Sequence, residues 1–88
     1  MSIPDRIRRI ASDPALLPTV RIGRSGLTEN IVTEVRQQLS TRLVVKVRIN
    51  RGVANDRAHR KALLDDLAEQ TGTTLVDDRG NTGVFWKP

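Results

Sequence analysis

Residues 42–50, Arg-Leu-Val-Val-Lys-Val-Arg-Ile-Asn, constrain the fold more than any other stretch of this chain. Leu43, Val45, Val47 and Ile49 alternate with Val44, Lys46 and Arg48. A period of two places the first set on one face of a strand and the second on the other. The first face is wholly apolar and demands a cover. The second carries two cations and is expected to stay wet, with Lys46 and Arg48 pointing into solvent. A chain of 88 residues has room for one core. Residues 1–88 therefore read as a single domain, and the cover must come from the flanking segments.

Those segments have helical spacing. Ile31, Val35 and Leu39 lie at i, i+4 and i+8, with Thr28 as the N-cap and Glu29 suited to the first turn. Arg51-Gly52 breaks the strand. Asn55 or Asp56 then caps a helix to about Gln70, with Ala62, Leu63, Leu64, Leu67, Ala68 and Thr71 as its buried stripe and Gly72 as its stop. An earlier helix is marked by Ile3, Ile7 and Ile10. Pro4 suits its first turn, and Ser12-Asp13-Pro14 ends it. Three more strands follow from alternation: Thr19 to Ile22, Thr73 to Val76, and Gly83 to Lys87, the last two joined by a hairpin loop over residues 77–81. The order is α-β-α-β-α-β-β. Two successive strand–helix units predict parallel strands with both helices on one face, and the final hairpin adds an antiparallel strand.

Between the strand ending at Ile22 and the helix starting at Thr28 lies Gly23-Arg24-Ser25-Gly26. A Gly-x-x-Gly turn in that position lets backbone N–H groups approach a phosphate closely. The following helix start adds donors and a positive dipole end. Arg24, at the tip, suits phosphate oxygens. Charge agrees with a polyanionic partner. The net charge is +5. Residues 1–61 hold 13 of the 15 cations and 5 of the 10 acids, a balance of +8, whereas residues 62–88 carry −3. Such asymmetry guides a polyanion onto one side of a molecule. Arg21, Lys46 and Arg48 are candidate contacts beside the loop, and Arg6 and Arg9 extend the basic surface from the first helix.

Other chemistry finds little support. The chain has no Cys, so it has no thiolate metal site and no cysteine nucleophile. His59 is the single histidine and has no second ligand near it in sequence. Asp65-Asp66 on a helix point in different directions, and Asp77-Asp78 sit in a turn where Asp is ordinary. Ser25 lacks a base. No metal, cofactor or catalytic residue is expected. One Phe, one Trp and no Tyr disfavour a platform that stacks several bases. Phe85 and Trp86 point to opposite faces, so one belongs to the core; the other is either half covered or free to stack on a base.

Gly23-Arg-Ser-Gly-Leu-Thr-Glu29, the strand Leu43 to Arg48, the helix end Glu69-Gln-Thr-Gly72 and the closing segment Gly80 to Pro88, with Trp86-Lys87-Pro88 at its end, together resemble the chloroplast RNA splicing and ribosome maturation (CRM) domain. The single-domain bacterial form of that family is the YhbY type, which this chain resembles, and the likeness runs in order and spacing through essentially the whole chain. The resemblance implies an α/β two-layer sandwich like the C-terminal domain of translation initiation factor three, with a four-stranded mixed sheet of order 1-2-4-3 and an antiparallel strand 4. It also implies RNA binding through the Gly-x-x-Gly loop and neighbouring cations, and association with large ribosomal subunit precursors. Two departures are Phe85-Trp86, where an aliphatic–aromatic pair is usual, and Arg24, where many members carry a neutral polar residue. The resulting expectation is a cytoplasmic, monomeric, non-enzymatic RNA binder contacting RNA through Arg21, Gly23, Arg24, Ser25, Gly26, Lys46, Arg48, Arg6 and Arg9. The rivals are a KH-like RNA binder, whose Gly-x-x-Gly loop joins two helices, and a protein-interaction subunit of a ribosome-associated complex whose basic face meets an acidic partner.

Overall fold

The structure is a computed structural model and describes residues 2–88. Its elements are α1 (Asp5–Ser12), β1 (Val20–Ile22), α2 (Glu29–Leu39), β2 (Val44–Ile49), α3 (Arg57–Thr71), β3 (Thr74–Arg79) and β4 (Thr82–Trp86). The strands form one sheet in the order β1-β2-β4-β3. β1 is parallel to β2, and β4 is antiparallel to both β2 and β3. The expected element order, strand order and strand directions are all present.

Capping explains where the two longer helices begin. Thr28 Oγ1 accepts from the Ile31 N–H at 3.3 Å. Of the two candidates ahead of α3, Asp56 is the cap: its Oδ1 accepts from the His59 N–H at 2.7 Å. Each satisfies one of the donors that a helix start leaves unpaired. α3 stops at Gly72, whose N–H returns to Glu69 O at 3.3 Å.

The two crossover helices cover one face of the sheet. Val35 of α2 and Leu64 and Leu67 of α3 are buried with Val20, Ile22, Val45, Val47, Ile49 and Phe85. The inward-facing set of the central strand is therefore as its alternation predicts, except Leu43. That residue precedes β2 and is 46% exposed. Gly83 marks the tightest approach in this layer. A Cβ there would lie 2.9 Å from Leu64 Cδ2 and 3.1 Å from Leu75 Cδ1, so the helix settles onto the sheet because this position has no side chain.

The second face differs from the expectation of an open, wet surface. α1 lies on it and buries Ile7 and Ala11 against Val44 and Val84, with Ile3, Ile10, Leu16, Val76 and Trp86 around them. The cause is the apolar residues interleaved with the cations. Val44, Val84 and Val76 build a second patch, and the Ile stripe of α1 needs one. Trp86 is half-buried in this cluster, whereas Phe85 is fully buried in the other. The closing aromatic pair thus stitches both layers to the sheet, and Trp86 is the half-covered member.

Candidate functional site

β3 runs in the same direction as β1 and β2, because β4 opposes both β2 and β3. All three strands therefore finish at one edge. That edge carries the Gly23–Gly26 loop, the segment after Asn50, the β3–β4 turn, and the starts of α2 and α3. The register confirms the convergence: the Asn50 N–H donates to Ile22 O at 2.9 Å and the Ile49 N–H to Asn81 O at 2.6 Å.

The loop is a tight turn closed by the Gly26 N–H donating to Gly23 O at 3.0 Å. Gly26 has φ +70°, a left-handed conformation that a Cβ disfavours. Gly23 does not share it. A Cβ on Gly23 would meet only Asn50 Nδ2, at 3.7 Å, an ordinary contact. The two glycines thus have different causes: Gly26 shapes the turn, whereas nothing inside the protein requires Gly23 to lack a side chain. Arg24 and Ser25, between them, are exposed. Among the described residues their N–H groups donate to no protein acceptor. They form a small pair of outward donors beside the Arg24 guanidinium. Glu29 occupies the first turn of α2, so its carboxylate offsets the positive helix end. The loop amides, rather than the helix dipole, are the better anion donors here.

Arg21 pairs with Arg48, Arg48 with Thr82, and Thr82 with Arg79. Cross-strand partners share a face, so these positions form one row across all four strands, on the face that α1 partly covers. Arg21, Arg48 and Arg79 are exposed. Ion pairs among the described residues join Lys61 to Asp65 at 2.6 Å and Arg79 to Asp77 at 3.4 Å. Arg21, Arg24, Arg48 and Arg51 are in none, so their charge is unneutralised at this edge.

The structure thus gathers Arg21, Gly23, Arg24, Ser25, Gly26 and Arg48. It separates Lys46 from them. That side chain is half-buried, and its Nζ donates to Leu16 O at 3.1 Å. It anchors the segment leading from α1 into β1 and does not stand on an open face. Arg6 and Arg9 are exposed on α1, on a different element from the loop and its neighbours. Sequence reasoning missed Asn50, Arg51 and Arg79. Asn50 lies beside the loop, Arg51 follows it, and Arg79 ends the far strand of the same edge; this placement depends on strand order and register, which local patterning does not carry. The one available signal was position, since Asn50 and Arg51 follow the central strand directly.

Known proteins resemble this chain in sequence and in fold. The model of the CRS1 / YhbY (CRM) domain matches residues 5–87. A Pseudomonas aeruginosa protein bearing the name Probable RNA-binding protein PA4753 is 29% identical over 72 residues, covering 82% of this chain and 66% of its own length. An RNA-binding protein of Haemophilus influenzae is 26% identical over 73 residues, 83% of this chain and 71% of its own. The chain thus spans about two thirds of the length of these relatives. The solution structure of the Staphylococcus aureus protein SAV1595, described as an RNA-binding candidate, superposes with a TM-score of 0.77 at 24% identity, covering 99% of this chain and 90% of that one. This last likeness establishes the fold.

Proposed function

This chain belongs to the CRS1 / YhbY (CRM) domain family, and from that premise we propose that it is a non-catalytic RNA-binding protein that holds the RNA backbone at the loop edge of its sheet. The observation that carries the reading is the exposed Gly23–Gly26 turn, with two unused N–H donors, set among four unpaired guanidiniums. A phosphate rests against the Arg24 and Ser25 amides. Arg24 forks onto its oxygens, and Arg21, Arg48 and Arg51 take neighbouring phosphates. The names of the P. aeruginosa and H. influenzae relatives point to the same class of partner.

Base stacking on the sheet has no place in this mechanism. Phe85 is fully buried and Trp86 is packed under α1. Recognition therefore follows backbone and shape, with weak sequence preference. The loop joins a strand to a helix, which favours this reading over a KH-like one. The target class is structured RNA of large ribosomal subunit precursors, met by a monomer in the cytoplasm.

Two measurements test the proposal. Four phosphate contacts, each releasing about 0.7–0.9 counterions, give a slope of log K against log salt near −3. A slope near zero overturns the phosphate clamp. Co-sedimentation with large-subunit precursors in a lysate should vanish after RNase treatment. Persistence through RNase points instead to a protein partner.

A further inference from the structure

A cavity of about 350 Å³ lies between the first turns of α3 and the β3–β4 turn. Arg57, Arg60 and Lys61 line it from the helix, and Asp78 and Arg79 from the hairpin. Lys61 is engaged by Asp65 and Arg79 by Asp77. Arg57 and Arg60 are in no ion pair among the described residues. The Nε of Arg60 is buried and has no hydrogen-bond partner. A charged donor left unsatisfied in that way is costly and calls for an acceptor.

The placement of the charges is a second, independent sign. α3 carries Arg57, Arg60 and Lys61 at its start and Asp65, Asp66 and Glu69 further on. No acid stands in its first turn and no base in its last. The helix dipole favours the reverse arrangement. Asp56 caps the helix start and Asp65 accounts for Lys61, which leaves Arg57 and Arg60 at a positive helix end with no acid paired to them, an arrangement that an external anion explains.

We propose that this cavity is a phosphate pocket, which takes one further backbone phosphate of the RNA held at the Gly23–Gly26 loop, with Arg57 and Arg60 as its donors. The inference rests on the RNA-binding reading above and extends its footprint. β1 and β3 are three strand spacings apart, about 14 Å, and both end at the same edge. An RNA lying along that edge from the loop passes the hairpin turn and the start of α3. Asp78 is the resident counter-charge. It moderates the pocket in the free protein and lowers its affinity for phosphate.

The test is amide NMR of the full chain, titrated separately with a short RNA stem-loop and with inorganic phosphate, alongside salt-dependent RNA affinity of variants. With RNA, the amides of residues 57–61 and 78–80 should shift together with those of 23–26. Arg57→Gln with Arg60→Gln should weaken RNA binding about 10-fold and lower the salt slope by about 0.8, the loss of one phosphate contact. Arg57→Gln alone, at an exposed position, should weaken RNA binding by a smaller factor with the fold unchanged. Asp78→Asn should tighten binding. RNA binding that depends on Arg24 but is unaffected by Arg57→Gln and by the double variant overturns the pocket and leaves the loop reading intact. Failure of the parent to bind any RNA overturns both. Saturable shifts at 57–61 with inorganic phosphate but none with RNA assign the pocket to a free phosphate and overturn its place in the RNA footprint.

Discussion

The two loop glycines can be told apart by a single methyl group each. At Gly26 the backbone is left-handed, with φ +70°. Alanine there costs about 1–2 kcal/mol of backbone strain. Loss of freedom in the unfolded chain returns about 0.4–1 kcal/mol, leaving a net destabilisation of about 1 kcal/mol. For a domain of this size that lowers the melting temperature by about 4–8 °C. At Gly23 neither term opposes the substitution. The backbone lies outside the left-handed region, and the new Cβ meets Asn50 Nδ2 at 3.7 Å. Gly23→Ala should therefore melt at or slightly above the parent temperature.

RNA binding should show a different pattern. If a phosphate approaches the Arg24 and Ser25 amides over Gly23, the methyl group at that position holds it off. A charge-assisted hydrogen bond contributes about 1.5–3 kcal/mol, so its loss weakens binding by roughly 10- to 100-fold. Losing the whole phosphate contact also lowers the salt slope by about 0.7–0.9. Fluorescence anisotropy of a labelled stem-loop, read from about 50 to about 200 mM salt, measures both. The reasoning fails if Gly23→Ala binds with the parent's affinity and slope. The first glycine would then be dispensable, and the loop would be a turn with no ligand.

Three further outcomes follow from the same geometry. Arg24→Ala should leave the melting temperature unchanged, since the side chain is exposed and outside every ion pair, and should reduce the salt slope by about 0.8. Lys46→Ala should act through stability instead: its hydrogen bond to Leu16 O is charge-assisted, and thermal unfolding should report a loss of about 1.5–3 kcal/mol, with an unchanged salt slope. Gly83→Ala should cost about 1–3 kcal/mol in denaturant melts, because its Cβ would press on Leu64 and Leu75.

The fold was legible wherever one residue pattern had one physical cause. Alternation from Leu43 to Ile49 located β2, and the spacing of Ile31, Val35 and Leu39 located α2. Thr28 and the Asn55-Asp56 pair located two helix starts, with Asp56 chosen as the second cap only by the structure. The strand order, by contrast, came from resemblance to a family, because pairing between distant segments leaves no local mark. The covered second face shows how a local reading goes astray. Lys46 and Arg48 suggested water, but side chains on one face of a strand can have separate fates. Val44 and Val84 lie under α1, Arg48 is exposed, and Lys46 reaches the Leu16 carbonyl in the segment after the helix. A long Lys stem can run over apolar surface and still satisfy its charge, so a cation in a strand does not by itself mark an open face.

The same distinction explains how much of the site could be read. Gly23–Gly26 is contiguous, and its turn chemistry is written in four residues. Arg21 and Arg48 could be named as cations on strands, but their adjacency depends on the parallel register that sets Arg21 opposite Arg48. Arg79 joins the row through two further pairings and was invisible without them. Charge counts located the basic part of the chain in residues 1–61, yet Arg79 lies in the acidic remainder. What unites these residues is strand direction. Three strands that end at one edge bring loops from three distant parts of the sequence to a single border, as open α/β sheets do with their ligand sites. The loop that is readable in sequence thus marks the edge, and the register recruits the other cations to it.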